Sequence, residues 1–283
     1  MRVGEARISR PAWAWVRERF PVANAPLIAL VYLAALMAGR AAVRRPPALG
    51  ALAVAGYVGA LAFFLMLRAL DDIADYDSDC VDHPDRLLQR GVVTRGDLQR
   101  VAAAALAVQL AVALIADRGV GRVTLWWLVS LAYVALALRD FFAAGALATR
   151  PLLHRLLRAP ASSLAVLWMA QIGAGDAALA SGVAWLVVLA LALTATLDVG
   201  RKLSEGALGG RTARTAFAAA PVALAASAAL LLDALGEGSA AAYTVLAVAA
   251  AAALGGAIRF DPGVSALAVG VSTLLTVIVA CAL

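Results

Sequence analysis

Long apolar segments alternate with short charged stretches along almost the whole chain, and this alternation limits the possible folds most strongly. A helix needs about 20 mostly apolar residues to cross the hydrocarbon core of a bilayer. Of the 283 residues, 64% are hydrophobic and 15% are charged, whereas soluble domains are about 45–50% apolar. The pattern predicts an all-α polytopic membrane bundle of about nine transmembrane helices, with residues 1–283 forming one domain. The segments are 25–39, 48–70, 97–116, 122–138, 160–175, 182–197, 215–235, 240–258 and 263–283.

The positions of arginine and lysine predict the orientation of this bundle. With the N-terminus in the cytoplasm, 19 of the 24 Lys and Arg side chains fall in cytoplasmic stretches and 5 in outside loops. An excess of these residues marks cytoplasmic loops. We therefore expect a multi-pass protein of the cell membrane with a cytoplasmic N-terminus. The same scatter of arginines explains the net charge of +6 without a nucleic-acid partner.

Residues 1–24 are predicted to form an interfacial amphipathic segment. Their middle part, PAWAWVRERFP, mixes Trp13 and Trp15 with Glu18 and Arg19. It lacks the apolar core of about 7–15 residues that defines a secretory signal peptide. Because tryptophan is enriched at membrane–water interfaces, we expect both tryptophans to lie at headgroup level.

The most acidic stretch of the chain, DDIADYDSD, follows the second apolar segment directly. On a helix, Asp71, Asp72, Asp75 and Asp79 share one face, and Asp77 points elsewhere. Such stacked carboxylates repel one another, but Mg²⁺ is typically held by one or two carboxylates together with substrate phosphates. Polar groups at the mouth of a membrane helix are usually functional. The stretch therefore predicts that these four aspartates bind Mg²⁺ and a diphosphate, the alternative being a solvated acidic helix end.

Basic residues near the acidic stretch are candidates for contacts with diphosphate oxygens. Arg68 precedes the aspartates by one helical turn, and Arg86 follows them in the sequence DHPDRLLQR. Guanidinium groups suit phosphate because their planar fork can donate two parallel hydrogen bonds. We predict that both arginines contact the diphosphate.

A second polar cluster, LDVGRKLSEG, follows the sixth apolar segment. Asp198, Arg201, Lys202 and Glu205 are spaced to share one helical face. One interpretation is a salt-bridged helix end. The other is a catalytic role for Asp198 near a metal, with Arg201 and Lys202 on phosphate oxygens.

With these motifs, the chain resembles the UbiA superfamily of intramembrane prenyltransferases. The family's NDxxDxxxD motif is similar to DDIADYDSD here, and its following RPDRP-like loop resembles VDHPDRLLQRG. The segments RERFPVAN, RDFF, ARTAF and DVGRK are similar to a less characterised bacterial branch. In this resemblance Asp71 takes the asparagine position, and Arg86 matches the loop arginine. The three acidic positions are taken by Asp72, Asp75 and Asp79.

The resemblance implies a nine-helix fold with two aspartate-rich motifs on cytoplasmic loops. It also implies Mg²⁺-dependent transfer of an isoprenyl group from a prenyl diphosphate to a lipophilic acceptor within the bilayer. The second motif departs from the family's usual DxxxD, because Lys202 stands four residues after Asp198. Binding of a second Mg²⁺ is therefore not implied.

An allylic cation formed in this reaction would need an apolar cavity with aromatic faces near it. The candidates from the sequence are Phe63, Phe64, Tyr133, Phe141, Phe142 and Trp168.

Two alternative functions remain open at this point. DDIAD also matches the DDxxD motif of terpene cyclases, so a cyclase built on a UbiA-type bundle is one. A transporter is the other, but transporters place charges near the bilayer midplane, whereas the charges here cluster at the ends of the apolar segments.

Overall fold

The protein is a bundle of α-helices. The computed structural model describes residues 9–20, 22–143, 145, 157, 160–204, 206, 210–259 and 261–283. Every regular element in these ranges is helical. The α-helices are α1 (Ser9–Arg19), α2 (Ala25–Ala42), α3 (Ala51–Ala74), α4 (Tyr76–Asp82), α5 (Arg95–Asp117), α6 (Arg122–Leu138), α7 (Pro160–Ala174), α8 (Trp185–Ser204), α9 (Gly210–Leu235), α10 (Ala240–Arg259) and α11 (Pro262–Ala282).

Each of the nine apolar segments coincides with one of these helices, which confirms the prediction of an all-α membrane bundle. Five stretches are both long and apolar enough to cross a bilayer: Val22–Ala42, Ala51–Ala74, Arg95–Asp117, Ser181–Ser204 and Pro262–Ala282. Shorter apolar helices cover Arg122–Leu138, Ser163–Ala174, Ala219–Leu235 and Ala240–Ala253 within the described residues. The count of nine transmembrane spans and the cytoplasmic N-terminus remain predictions.

Helix α2 joins the two parts of the bundle. Helix α3 packs against α5, α5 against α6, and α6 against α7. Helices α8 to α11 pack among themselves. Helix α2 contacts α7 on one side and α11 on the other. The bundle therefore surrounds a space bordered by α2, α3, α7 and α8.

The contact between α2 and α7 depends on glycine. A Cβ atom on Gly39 would lie 1.9 Å from the carbonyl oxygen of Ala170, and one on Gly173 would lie 2.2 Å from that of Leu36. Only residues without a Cβ allow the two backbones to approach so closely.

Helix α1 is docked on the bundle, and its two tryptophans have different surroundings. Trp13 is 59% exposed, as an interfacial side chain would be, but Trp15 is fully buried. Trp15 belongs to the main apolar core. The indole of Trp15 therefore packs into the protein and finds a polar partner there, while the depth of both tryptophans in the membrane remains a prediction.

The acidic stretch lies at a break between two helices. Helix α3 ends at Ala74, and α4 begins at Tyr76. Asp75 between them has φ −89° and ψ 8°, while its N–H still bonds the carbonyl oxygen of Asp71 at 2.8 Å. The four predicted ligands thus lie on two successive helices and the residue that connects them.

Candidate functional site

A cavity of about 470 Å³ lies beside the acidic stretch, bordered by α1, α2, α3, α7 and α8. This volume is within the range of small-molecule sites, about 300–1,000 Å³. Its polar lining comes from Arg19, Asn24, Arg68, Asp71 and Thr194. Its apolar lining comes from Phe20, Leu27, Ile28, Val31, Phe64, Leu67, Val166, Ala190, Leu193 and Leu197. The cavity can therefore accommodate a molecule with a charged head and an apolar chain.

Asp72 is buried, with 4% of its surface exposed. Arg19 donates from Nε to Oδ2 and from Nη2 to Oδ1, both at 2.9 Å. The indole Nε1 of Trp15 donates to Oδ2 at 2.9 Å, and Nη2 of Arg68 lies 3.3 Å from Oδ1. Both carboxylate oxygens are therefore engaged by cations and N–H donors. The predicted metal ligand Asp72 is thus a buried, paired carboxylate, and its role in metal binding stays a prediction.

The other aspartates of the stretch have more accessible positions. Asp71 lines the cavity, and Asp75 is exposed one helical turn further on. Asp79 is half-buried and accepts a hydrogen bond from Nη1 of Arg86 at 2.5 Å. Asp77, which was expected to point elsewhere, is 94% exposed in its side chain and pairs with Arg95 at 3.2 Å. The predicted diphosphate contact Arg86 is thus bound to a predicted metal ligand.

The second polar cluster forms a salt bridge at the end of α8. Asp198 accepts a hydrogen bond from Lys202 at 2.5 Å and from Nη2 of Arg201 at 3.2 Å. Glu205 lies outside the described residues. Leu197 and Thr194, on the same helix, line the cavity. The cluster is therefore near the cavity in sequence, and both Lys202 and Arg201 pair with Asp198.

The donor chemistry suits a metal bound together with its substrate better than a complete metal cage. Among the described residues, no three acidic, histidine or cysteine side chains come together in a way that could hold an ion. Mg²⁺ commonly takes one or two carboxylates and completes its shell with substrate phosphates and water. Asp71 at the cavity and Asp75 next to it supply carboxylates of this kind. The residues present therefore fit Mg²⁺ as a partner of a bound diphosphate.

One of the aromatic candidates borders the cavity. Phe64 is part of its lining, whereas Phe63 and Trp168 are fully buried core residues with ring centroids 6.1 Å apart. The rings of Tyr133 and Phe141 stack edge to face, 5.5 Å apart. Phe142 is 74% exposed. Phe64 is thus the sequence candidate that can contact a molecule in the cavity.

Sequence reasoning missed the contribution of the N-terminal segment to the cavity. Arg19, Phe20 and Asn24 all line it. The signal was present in RERFPVAN, which contains all three residues and supports the family resemblance. The same alternation of charged and aromatic residues is also typical of interfacial helices, so the sequence alone favours a surface segment.

Comparisons with known proteins identify the fold. No protein-family model and no curated protein sequence matches the chain. A UbiA homologue from Aeropyrum pernix K1, solved in its apo form, aligns with a TM-score of 0.63 at 20% identity, covering 89% of this chain and 97% of that chain. A digeranylgeranylglyceryl phosphate synthase aligns with a TM-score of 0.60 at 11% identity, covering 96% of this chain and 99% of that chain. The chain therefore shares the fold of a UbiA homologue and of a digeranylgeranylglyceryl phosphate synthase.

Proposed function

We propose that this protein is an intramembrane prenyltransferase. Its substrates are a prenyl diphosphate and a lipophilic acceptor, and Mg²⁺ is its cofactor. The observation that carries the proposal is the cavity, which joins a polar mouth formed by Arg68, Asp71 and Asn24 to an apolar interior within the bundle. The fold it shares with a UbiA homologue and with a prenyl-lipid synthase supports the same class of reaction.

The charged mouth would bind the diphosphate and the apolar interior would bind the isoprenyl chain. Arg68 would donate to phosphate oxygens, and Asp71 and Asp75 would hold the metal together with the diphosphate, whereas Asp79 is paired with Arg86. Mg²⁺ when bound neutralises negative charge that grows on the leaving diphosphate. Asp72 has no place among these ligands in the proposal, because its oxygens already accept hydrogen bonds from Arg19 and Trp15.

The reaction begins when the bond between the prenyl carbon and the diphosphate oxygen breaks. The electron pair leaves on the diphosphate, where Arg68 stabilises the developing charge. Phe64 and the aliphatic lining exclude water from the allylic cation, and the face of an aromatic ring attracts positive charge. A new bond then forms between the prenyl carbon and a nucleophilic atom of the acceptor, which loses its proton to the released diphosphate.

Product analysis tests this proposal directly. Purified protein in detergent is incubated with Mg²⁺ and geranyl, farnesyl or geranylgeranyl diphosphate, with and without an aromatic acceptor. We expect a prenylated acceptor from at least one donor. A cyclic hydrocarbon formed without acceptor would instead identify a terpene cyclase. The absence of both products would contradict the proposal.

Two neighbouring aspartates provide a matched pair of variants for the same assay. We expect Asp75→Asn to lower turnover by about a hundredfold or more, as the loss of one contact that stabilises the transition state does. Asp77→Asn should change turnover by less than about fivefold, because it removes only an exposed ion pair. Equal losses for the two folded variants would argue against a special role for Asp75.

A further inference from the structure

Asp72 is the residue that joins the N-terminal helix to the cavity. Helix α1 contributes Trp15 and Arg19, and α3 contributes Asp72 and Arg68. Residues 15 and 72 lie far apart in the sequence, so this contact fixes how α1 sits on the bundle. Removing one partner from a buried ion pair leaves an uncompensated charge, which is strongly destabilising. The cluster therefore locks α1 in a defined position.

A metal-binding role fits Asp72 poorly. A Mg²⁺ ion on its carboxylate would lie next to two guanidinium groups whose nitrogens are within 3.3 Å of Oδ1. Repulsion between these cations would oppose binding, and the ion would have to displace hydrogen bonds from Trp15 and Arg19. The Asp72 carboxylate therefore acts as an anion that orients Arg19 and Arg68.

Arg19 retains donors for a second partner. It uses Nε and one Nη2 hydrogen on Asp72, whereas a guanidinium carries further N–H groups in its planar fork. The residue lines the cavity, and its side chain is 15% exposed. Arg68 lies beside it, so two guanidinium groups border the cavity together with the carboxylate of Asp71. An anion with several oxygens is the ligand that suits this arrangement.

Contacts on both sides of Arg19 hold α1 in place. Trp15 is buried in the core one turn earlier. The Glu18 carboxylate accepts a hydrogen bond from the backbone N–H of Leu87 at 3.3 Å, in the loop that also contains Arg86. Phe20, which follows Arg19 in the chain, lines the cavity. Helix α1 thus forms part of the cavity wall.

We infer that Asp72 is a positioning residue, and that Arg19, held by Asp72 and Trp15, is a diphosphate-contacting residue supplied by α1. The inference rests on the proposed function for the identity of the anion. The diphosphate site is then formed by the N-terminal helix α1 on one side and by the acidic stretch on the other.

Binding of inorganic pyrophosphate tests the role of Arg19 without catalysis. The full chain in detergent is titrated calorimetrically, first without metal and then with Mg²⁺. We expect Arg19→Gln to weaken pyrophosphate binding by about ten- to a hundredfold, the loss typical of one charge-assisted contact. Arg19→Lys should retain part of the affinity, because it keeps the charge but loses the fork.

Arg100→Gln is the matched control, since Arg100 is an exposed arginine that pairs with Asp97 at 3.0 Å away from the cavity. Its pyrophosphate affinity should equal that of the unaltered protein. Unchanged affinity in Arg19→Gln, or in Arg19→Lys if the glutamine variant does not fold, would overturn the inference. So would a lack of pyrophosphate binding by the unaltered protein. Pyrophosphate binding without prenyl transfer would overturn the proposed function and leave the inference standing.

The positioning role of Asp72 has its own readout. Asp72→Asn keeps the shape of the side chain but removes the charge that orients Arg19. We expect metal-free pyrophosphate affinity to fall by about tenfold, with a changed fluorescence of Trp15 because its indole loses a carboxylate partner. Because the chain has six tryptophans, the signal of Trp15 is obtained as the difference from the same protein carrying Trp15→Phe.

The alternative role as a metal ligand predicts a different result for Asp72→Asn. In that case the metal-free affinity for pyrophosphate would be unchanged, the signal of Trp15 would stay constant, and only the Mg²⁺ dependence would shift. That pattern would overturn the positioning role. Trp15→Phe, which removes the indole donor and preserves an aromatic ring, should lower metal-free affinity in the same direction as Asp72→Asn but by less.

Discussion

At the residue scale, aspartates within one helical turn of each other have very different environments. Asp71 lines the cavity, Asp72 is buried between two arginines, and Asp75 is exposed. The helical period explains why Asp71 and Asp75 are neighbours, one turn apart. The difference from Asp72 arises from α1, whose Trp15 and Arg19 side chains donate hydrogen bonds to Asp72. The chemistry of each carboxylate is thus set by its neighbours from other helices.

Lys202 provides a test at this scale. Its ammonium group pairs with Asp198, and the two side chains are 22% and 41% exposed. Because exposed ion pairs are worth less than about 1 kcal/mol, we expect Lys202→Ala to change turnover by less than about fivefold. Steady-state kinetics in detergent, at several Mg²⁺ concentrations, measure this. A loss of ten- to a hundredfold would indicate that Lys202 contacts the diphosphate.

The substitution Lys202→Asp extends this test. It creates the DxxxD spacing that the resemblance leads one to expect in the second motif. If a second Mg²⁺ can bind there, turnover by this variant should rise with metal concentration beyond the range that saturates the unaltered protein. A Mg²⁺ dependence identical to that of Lys202→Ala would show that the spacing alone does not create a metal site.

At the scale of elements, the α2–α7 contact fixes the wall of the cavity. Ile28 and Val31 on α2 and Val166 on α7 line it. The backbones of these helices meet at Gly39 and Gly173, where any Cβ atom would overlap a carbonyl group. Close packing between membrane helices depends on such small residues. A change in this contact is therefore transmitted directly to the apolar lining.

We expect Gly39→Ala to destabilise the protein by about 1–3 kcal/mol, because the added methyl group must push the two backbones apart. In a chain of this size the melting temperature in detergent should fall by several degrees. Gly50→Ala is the control, since a Cβ there has nothing within 4 Å. This substitution should change the free energy of unfolding by less than about 0.5 kcal/mol. Equal melting temperatures for the two variants would contradict the close approach of α2 and α7.

The sequence predicts the elements better than it predicts the site. Every apolar segment is a helix, because burial in a bilayer requires intrahelical hydrogen bonds and leaves a strong compositional signal. The location of the acidic stretch beside a cavity also follows from its place at the end of α3. The pairing of Asp72 with Arg19 could not be predicted, because it depends on how α1 docks. Charged and aromatic residues in 1–24 are compatible with a surface position and with a buried one.

At the scale of the whole molecule, the distribution of arginines predicts the orientation in the membrane. Val92 lies in the loop after α4, and Val120 lies in the loop between α5 and α6; both are exposed, at 44% and 84%. With a cytoplasmic N-terminus, these two loops lie on opposite sides. A pair of single-cysteine variants can therefore distinguish the two orientations.

For this experiment, the native Cys80 and Cys281 are first replaced by serine. We expect a membrane-impermeant thiol reagent added to intact cells to label Val120→Cys and to leave Val92→Cys unlabelled. Lysed cells should label both, which controls for accessibility. Labelling of Val92→Cys alone in intact cells would reverse the orientation.

The cavity is made from parts of the chain that are synthesised at different times. Arg19, Arg68 and Asp72, which form the charged cluster, precede residue 75, whereas the apolar wall is completed only by Leu193 and Leu197 on α8. The ion cluster can form while the ribosome is still translating the middle of the chain. The space for an isoprenyl chain exists only after α8 has entered the membrane. A nascent chain that stops before α8 would thus contain the charged cluster but no cavity in which an isoprenyl chain could bind.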